Sequence, residues 1–243
     1  MKESLYEYLA GNEYPGRGIC IGKTSGGNKA MIAYFIMGRS VNSRNRVFDP
    51  INGGIRTLAA DPSKMTDPHL IIYNPVLTLD NTTIVTNGDQ TDTIRDFIAR
   101  NDFSGYGFEA ALNTRTFEDD KPNWTPRISG VVDMRLGGYK LSILKSSDGN
   151  EKSVQRFTFD YSEPLAGFGH FISTYKCNGT PIPSFAGEPL CVAVDEDDPE
   201  KYAAKLWKAL NDDNKVSLFV RAIDLATQTC KDVIINKYKT VEG

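Results

Sequence analysis

Residues 38–46 read GRSVNSRNR, three arginines (Arg39, Arg44 and Arg46) interleaved with Ser40, Asn42, Ser43 and Asn45. Guanidinium groups are planar forks of N–H donors that match phosphate and carboxylate oxygens, and hydroxyls and amides add further donors. The stretch follows an apolar run at 30–37, AMIAYFIM, which reads as a buried strand. Cations leaving a rigid strand for a loop are well placed to grip a small anion. A solvated basic turn is the plainer alternative.

Other residue types narrow the chemistry. The two histidines, His69 and His170, stand in no HExxH pattern, so a histidine-built metal site is not expected. No GxSxG elbow is present for a hydrolase serine. The run DEDD at 195–198 has hard-cation character, yet a solvated loop whose last member caps a helix explains it. The turn TSGGNK at 24–29 lacks the spacing of a phosphate-binding P-loop and suits a hairpin.

A net charge of −3 in 243 residues argues against a broad basic nucleic-acid surface, so the arginines must act locally. Cys20, Cys177, Cys191 and Cys230 form no CxxC pair, which points to reduced thiols rather than zinc. No charged-then-apolar leader opens the sequence, and its apolar runs are short of a bilayer span. The expectation is one cytoplasmic domain, 1–243, with a small-molecule ligand, no cofactor, and neither membrane nor nucleic acid as partner. A homo-oligomer is left open.

These residues need elements to position them. The pattern predicts a short helix over 3–9 closed by Gly11 and Asn12, then a hairpin of strands 16–23 and 30–37 ending at the arginine loop. Residues 47–68 read as an ordered polar loop with short strands, followed by strands at 69–79 and 81–86, with Pro75 marking an edge or bulge. A helix over 89–101 is capped by Asp89 and puts Ile94, Phe97 and Ile98 on one face; a weaker helical pattern covers 103–114. Strands follow at 125–133, 139–144, 154–159, 167–175 and 190–194. Asp198 and Pro199 open a helix with Tyr202, Leu206 and Leu210 four apart, and strands at 216–222 and 230–238 close the chain. Many strands of antiparallel type with few helices imply an α+β sandwich, its stacked sheets covered by helices.

The run from 16 to 46, GRGICIGKTSGGNKAMIAYFIMGRSVNSRNR, resembles the start of the archaeal-type IMP cyclohydrolase family, with its Arg-Ser-x-x-x-Arg loop at Arg39, Ser40 and Arg44. Ile72-Tyr73-Asn74 resembles the family's Tyr-Asn strand. TNGDQTD at 86–92 is similar to its strand-to-helix segment, and TPRI at 125–128 to its Thr-Pro-Arg-Ile strand. The resemblance covers 16–133. It implies a four-layer α-β-β-α fold like that of N-terminal-nucleophile hydrolases, without their terminal nucleophile. It also implies closure of the purine ring of a formamidoimidazole-carboxamide ribotide to IMP and water.

That reaction folds a tethered formyl group onto a neighbouring carboxamide, so orientation alone can supply roughly 7–11 kcal/mol. It further needs a proton acceptor, a donor to the oxygen that gains charge, and a proton for departing water. On the resemblance, Tyr73 is the acid/base or oxyanion donor, Arg44 the guanidinium that favours its phenolate, and Glu118 the group that orients the carboxamide or relays a proton. Arg39 and Arg46 would take the 5′-phosphate, with Ser40 beside them. Asn74, Asn87 and Gly88 would hold base or ribose, and Arg127 would face the pocket or pair with Glu118. The loop GTPIPSFAGEP at 179–189 either covers the pocket with Phe185 or merely connects. Three other readings stand beside ring closure: a non-catalytic nucleotide binder, an amidohydrolase whose nucleophile is Cys20, exposed by cleavage after Ile19, and a purely structural or interaction module that binds no ribotide.

Overall fold

In the computed structural model, which describes residues 4–65, 68, 72–100 and 106–240, the first hairpin pairs β1 (Arg17–Lys23) with β2 (Lys29–Met37). Both strands are buried on both faces, which is why they read as unbroken apolar runs. One face carries Ile19, Ile21, Ile32, Tyr34 and Ile36; the other carries Cys20, Met31, Ala33, Phe35 and Met37. Around this hairpin a six-stranded sheet adds β10 (Phe168–Ser173), β11 (Leu190–Ala193), β12 (Lys215–Asp224) and β13 (Cys230–Asn236), in the order β11-β10-β1-β2-β12-β13.

The second sheet runs in chain order through β3 (Val47–Ile51), β4 (Gly54–Leu58), β5 (Val76–Leu79), β6 (Thr82–Thr86), β7 (Arg127–Asp133), β8 (Tyr139–Ser146) and β9 (Val154–Tyr161). Strand pairing in both sheets is antiparallel. The sheets meet through one apolar cluster in which Ile19, Ile21 and Ile32 face Val85, Ile128, Val132 and Leu141. Each such side chain taken from water contributes about 1.5–3 kcal/mol. At Gly130 the approach is so close that a Cβ would lie 2.6 Å from Ile21 Cδ1.

The outer face of the first sheet packs on α1 (Leu5–Gly11) and α5 (Pro199–Ala209) through Leu5, Leu9, Tyr202 and Leu206. Ile84 and Leu144 of the second sheet pack on α3 (Gln90–Arg100) and α4 (Gly107–Asn113) through Ile94, Phe108 and Leu112. Asp198 caps α5 by accepting from the Glu200 N–H.

Two elements differ from the sequence reading. The arginine loop contains a helical turn, α2 (Val41–Arg44), because Ser40 and Ser43 form a reciprocal capping box at its start. Of the strand expected over 69–79, the described residues 72–79 form one at Val76–Leu79, while 69–71, and hence His69, lie outside the described residues. Pro75, lacking an N–H, precedes the strand and only accepts, from the Thr86 N–H at 2.8 Å. Tyr73 therefore sits just outside the sheet.

Candidate active site

Side chains on the inter-sheet faces turn polar at one end of the sandwich. Arg17 stands at the start of β1 on the same face as Ile19 and Ile21, and Tyr34 lies on the matching face of β2. Gly16 bends the chain into this position at φ +78°, where a Cβ would lie 2.3 Å from Thr174 Oγ1. Arg46 follows α2 and turns inward. Asn45 braces that turn, donating to the Asp61 carbonyl at 2.8 Å and accepting from the Asp61 N–H at 2.7 Å.

Tyr73 is pinned by its backbone to the end of β4. Its N–H donates to Thr57 Oγ1 at 2.9 Å, and its carbonyl accepts from the Thr57 N–H at 2.9 Å. The two phenols meet, Tyr34 and Tyr73 hydroxyls being 2.9 Å apart. Glu118 enters on the loop before β7, held where its N–H donates to the Thr125 carbonyl at 2.9 Å. Asp120 fixes the same loop by accepting from the Thr125 N–H at 2.6 Å, and the Thr125 hydroxyl contacts Tyr175 at 2.5 Å.

Arg17, Arg46, Tyr73 and Glu118 are 7, 3, 6 and 7% exposed. Nε of Arg17 and both Nε and Nη1 of Arg46 have no hydrogen-bond partner. Burying a guanidinium with idle N–H groups is costly, and such a pair is suited to an anionic or strongly accepting ligand. The charges agree: around Glu118 the cations Arg17, Arg46 and Arg127 outnumber the carboxyls of Glu118 and Asp120.

Electrostatics bind these groups into one unit. Burial opposes the Arg17 cation, but Glu118 and the phenols of Tyr175, Tyr14 and Tyr73 outweigh it and lift its pKa. For Arg46, burial and then Arg17 lower the pKa, with Tyr73 and Glu118 opposing. Burial raises the Glu118 carboxyl above the usual range despite Arg17, Arg127 and Arg46. Burial, with Tyr73 beside it, holds Tyr34 protonated.

The other sequence-predicted residues are placed elsewhere or differently engaged. Arg44 donates from Nε to the Gly38 carbonyl at 2.9 Å and from Nη2 to Asn214 Oδ1 at 3.2 Å, which braces the loop; Arg46 and Arg17 interact electrostatically with Tyr73. Arg39 holds the 177–189 loop through Asn178 Oδ1 and the Gly179 carbonyl and lies over the Tyr14 ring at 5.1 Å. Ser40 caps α2. Asn74 is half-buried beside Tyr73.

Asn87 ties three groups together, donating to the Pro126 carbonyl at 2.9 Å and accepting from the Ile128 N–H at 2.8 Å and Gln90 Nε2 at 3.0 Å. Gly88 leaves room for Arg127, whose Nη1 a Cβ there would meet at 2.3 Å. Arg127 bonds Gln90 at 2.7 Å and Asp89 at 2.8 Å and reaches Glu118 only through its field. Phe185 is buried in the inter-sheet cluster, and its N–H donates to the Thr174 carbonyl at 3.1 Å, so the loop closes the same end of the sandwich.

The sequence reading missed Arg17 and Tyr34. The signal was period two: Arg17 shares a face with Ile19 and Ile21, and an arginine there must be buried. Cys20, the nucleophile of the amidohydrolase reading, is buried in mid-strand against Tyr202, its thiol pushed up to about 12 chiefly by burial. Cleavage before it would remove half of β1, and the fold gives that reading no support. Open clefts of about 580 and 450 Å³ lie elsewhere, beside α1 and around His170. Neither gathers arginines. Among the described residues no three His, Cys, Asp or Glu side chains are grouped to hold a metal, and no helix is long and apolar enough to cross a membrane.

Buried arginines with idle N–H groups lie between two antiparallel sheets, in the field of a phenol pair and a carboxyl, an arrangement of the class suited to holding an anion beside acid/base groups. Comparison with known proteins gives that class a family. Residues 14–228 match the model of the family described as IMP cyclohydrolase-like protein. The chain is 29% identical over 189 residues to an IMP cyclohydrolase of Methanococcus aeolicus, covering 77% of this chain and 84% of that protein. It is 31% identical over 171 and 166 residues to the IMP cyclohydrolases of two Methanococcus maripaludis strains, covering 69 and 67% of this chain and 77 and 75% of theirs. The chain belongs to the IMP cyclohydrolase-like family.

Proposed function

We propose that this chain is a cytosolic IMP cyclohydrolase: one domain spanning 1–243, a four-layer α-β-β-α sandwich of the N-terminal-nucleophile-hydrolase type. The observation that carries the proposal is the pair of buried arginines with idle N–H groups beside Tyr73 and Glu118. In the reaction the carboxamide nitrogen attacks the formyl carbon and the carbonyl electrons move to oxygen. That oxygen leaves as water with one proton from the carboxamide nitrogen and one from the formamide nitrogen.

The site supplies what these steps require. Arg17 and Arg46 hold the anionic substrate and offer N–H groups where oxygen gains charge. Tyr73, beside both arginines, takes or returns a proton. Glu118 has its pKa raised by burial, so it retains a proton at higher pH than an exposed carboxyl and is suited to protonate the departing oxygen. Arg39 supports the 177–189 loop through Asn178 and Gly179.

Incubating the purified protein with the formylated ribotide and following IMP absorbance tests the proposal. IMP should form, and Tyr73→Phe should lower kcat by about 100-fold or more. IMP binding without ring closure would instead identify a non-catalytic nucleotide binder.

A further inference from the structure

Tyr34 has no role in the scheme above, yet it is fully buried and its hydroxyl lies 2.9 Å from that of Tyr73. Its ring is fixed in β2 and stacks on Phe48, with centroids 5.6 Å apart and planes at 28°. On distance alone either hydroxyl could donate, and placement separates them: Tyr34 is fully buried in mid-strand, while Tyr73 sits just outside the sheet. Arg17 and Arg46, both within electrostatic reach of Tyr34, can donate but not accept.

A buried hydroxyl whose one acceptor is another hydroxyl directs its proton there. Burial keeps Tyr34 protonated, so it can play this part throughout the working range. The Tyr73 proton then points away from Tyr34.

We propose that Tyr34 is a positioning residue for Tyr73: its hydroxyl donates to the Tyr73 oxygen, aims that phenol's own proton at the substrate, and steadies the oxygen when the proton leaves. The inference rests on the ring-closing reading for its catalytic consequence, though not for the hydrogen bond. No bond to substrate is assigned to Tyr34, which acts only through Tyr73.

The test is Tyr34→Phe, which removes one oxygen and keeps the ring against Phe48. The variant should lose kcat about 10- to 100-fold while KM stays within about twofold, the signature of an interaction that matters mainly in the transition state. Added to Tyr73→Phe it should cost nothing further, because the two hydroxyls act as one unit. A readout independent of turnover is the Cζ resonance of labelled tyrosine. The Tyr73 signal, identified by its loss in Tyr73→Phe, should move in Tyr34→Phe, and the Tyr34 signal should move in Tyr73→Phe even if Tyr34→Phe fails to fold. Unchanged kcat, additive effects, or Cζ resonances indifferent to each other's hydroxyl would each overturn the proposal. Coupled resonances in a protein that never forms IMP would support the hydroxyl pair and reject the ring-closing reading.

Discussion

Arg46 shows how a single residue can serve function against stability. It is 3% exposed, two of its N–H groups are unpartnered, and the nearby Arg17 cation helps burial depress its pKa. A buried charge with incomplete partners is often replaceable by an apolar side chain of similar volume at no loss of stability. Arg46→Met is therefore expected to raise the unfolding free energy by about 1–3 kcal/mol, or at least not lower it. The same change removes a charge-assisted contact to the anion, and IMP affinity should fall by about 10- to 100-fold. Thermal unfolding and calorimetric titration of the one variant check both limbs. A variant that unfolds early yet binds IMP normally would show that Arg46 is a structural cation.

At the scale of elements, the connection from β6 to α3 and its neighbour β7 depend on Asn87. Its side chain meets the Pro126 carbonyl, the Ile128 N–H and Gln90, all in a buried setting. Asn87→Ala strands at least two backbone groups, and each buried unsatisfied group costs about 1–3 kcal/mol. A loss of about 2–4 kcal/mol in denaturant unfolding is expected, with IMP affinity of the folded fraction close to that of the parent. An affinity loss without a stability loss would return Asn87 to the ligand. This residue also marks where sequence legibility ended. The hairpin β1–β2, α5 with its Asp198 cap, and most strands were readable because their periodicity and punctuation are local. The partners of Asn87, 39 and 41 residues away, were not. Likewise the three arginines of 38–46 were visible as a group, but not that Arg44 would turn to Gly38 and Asn214 while Arg46 turned inward. Arg17 was overlooked because an apolar strand hides an arginine at its first position unless the faces are separated.

Across the whole molecule the inter-sheet space is apolar in its centre and titratable at both ends, which gives stability a pH dependence that can be divided by region. At the end away from Arg17, His170 Nδ1 meets the Tyr139 hydroxyl at 2.7 Å and the imidazole stacks on Tyr161 with centroids 3.7 Å apart. Burial lowers the His170 pKa, and it raises that of Tyr139, so a protonated phenol meets a neutral ring. The unfolded chain binds this proton near pH 6.5 and the folded one only at lower pH, so stability is full above about 6.5 and falls as pH drops through it. Asp89 acts in a different window. Its pKa is lowered by Arg115 and Arg127 although burial opposes them, so its stabilisation is present above about pH 3.9 and is lost below. Glu118 works the other way: its raised pKa means that protonation, as pH falls toward the ordinary carboxyl value, relieves the fold. Chemical denaturation at pH 8, 6.5, 5, 4 and 3 should then show a fall between 8 and 5 that flattens in His170→Phe, and a steeper one below 4 that flattens in Asp89→Asn. Glu118→Gln should deepen the net loss between 6.5 and 4 by removing the opposing contribution. A neutral-to-acid limb unchanged by His170→Phe would mean that the imidazole is as easily protonated in the folded protein as in the unfolded chain, and that the aromatic end of the sandwich is open to water.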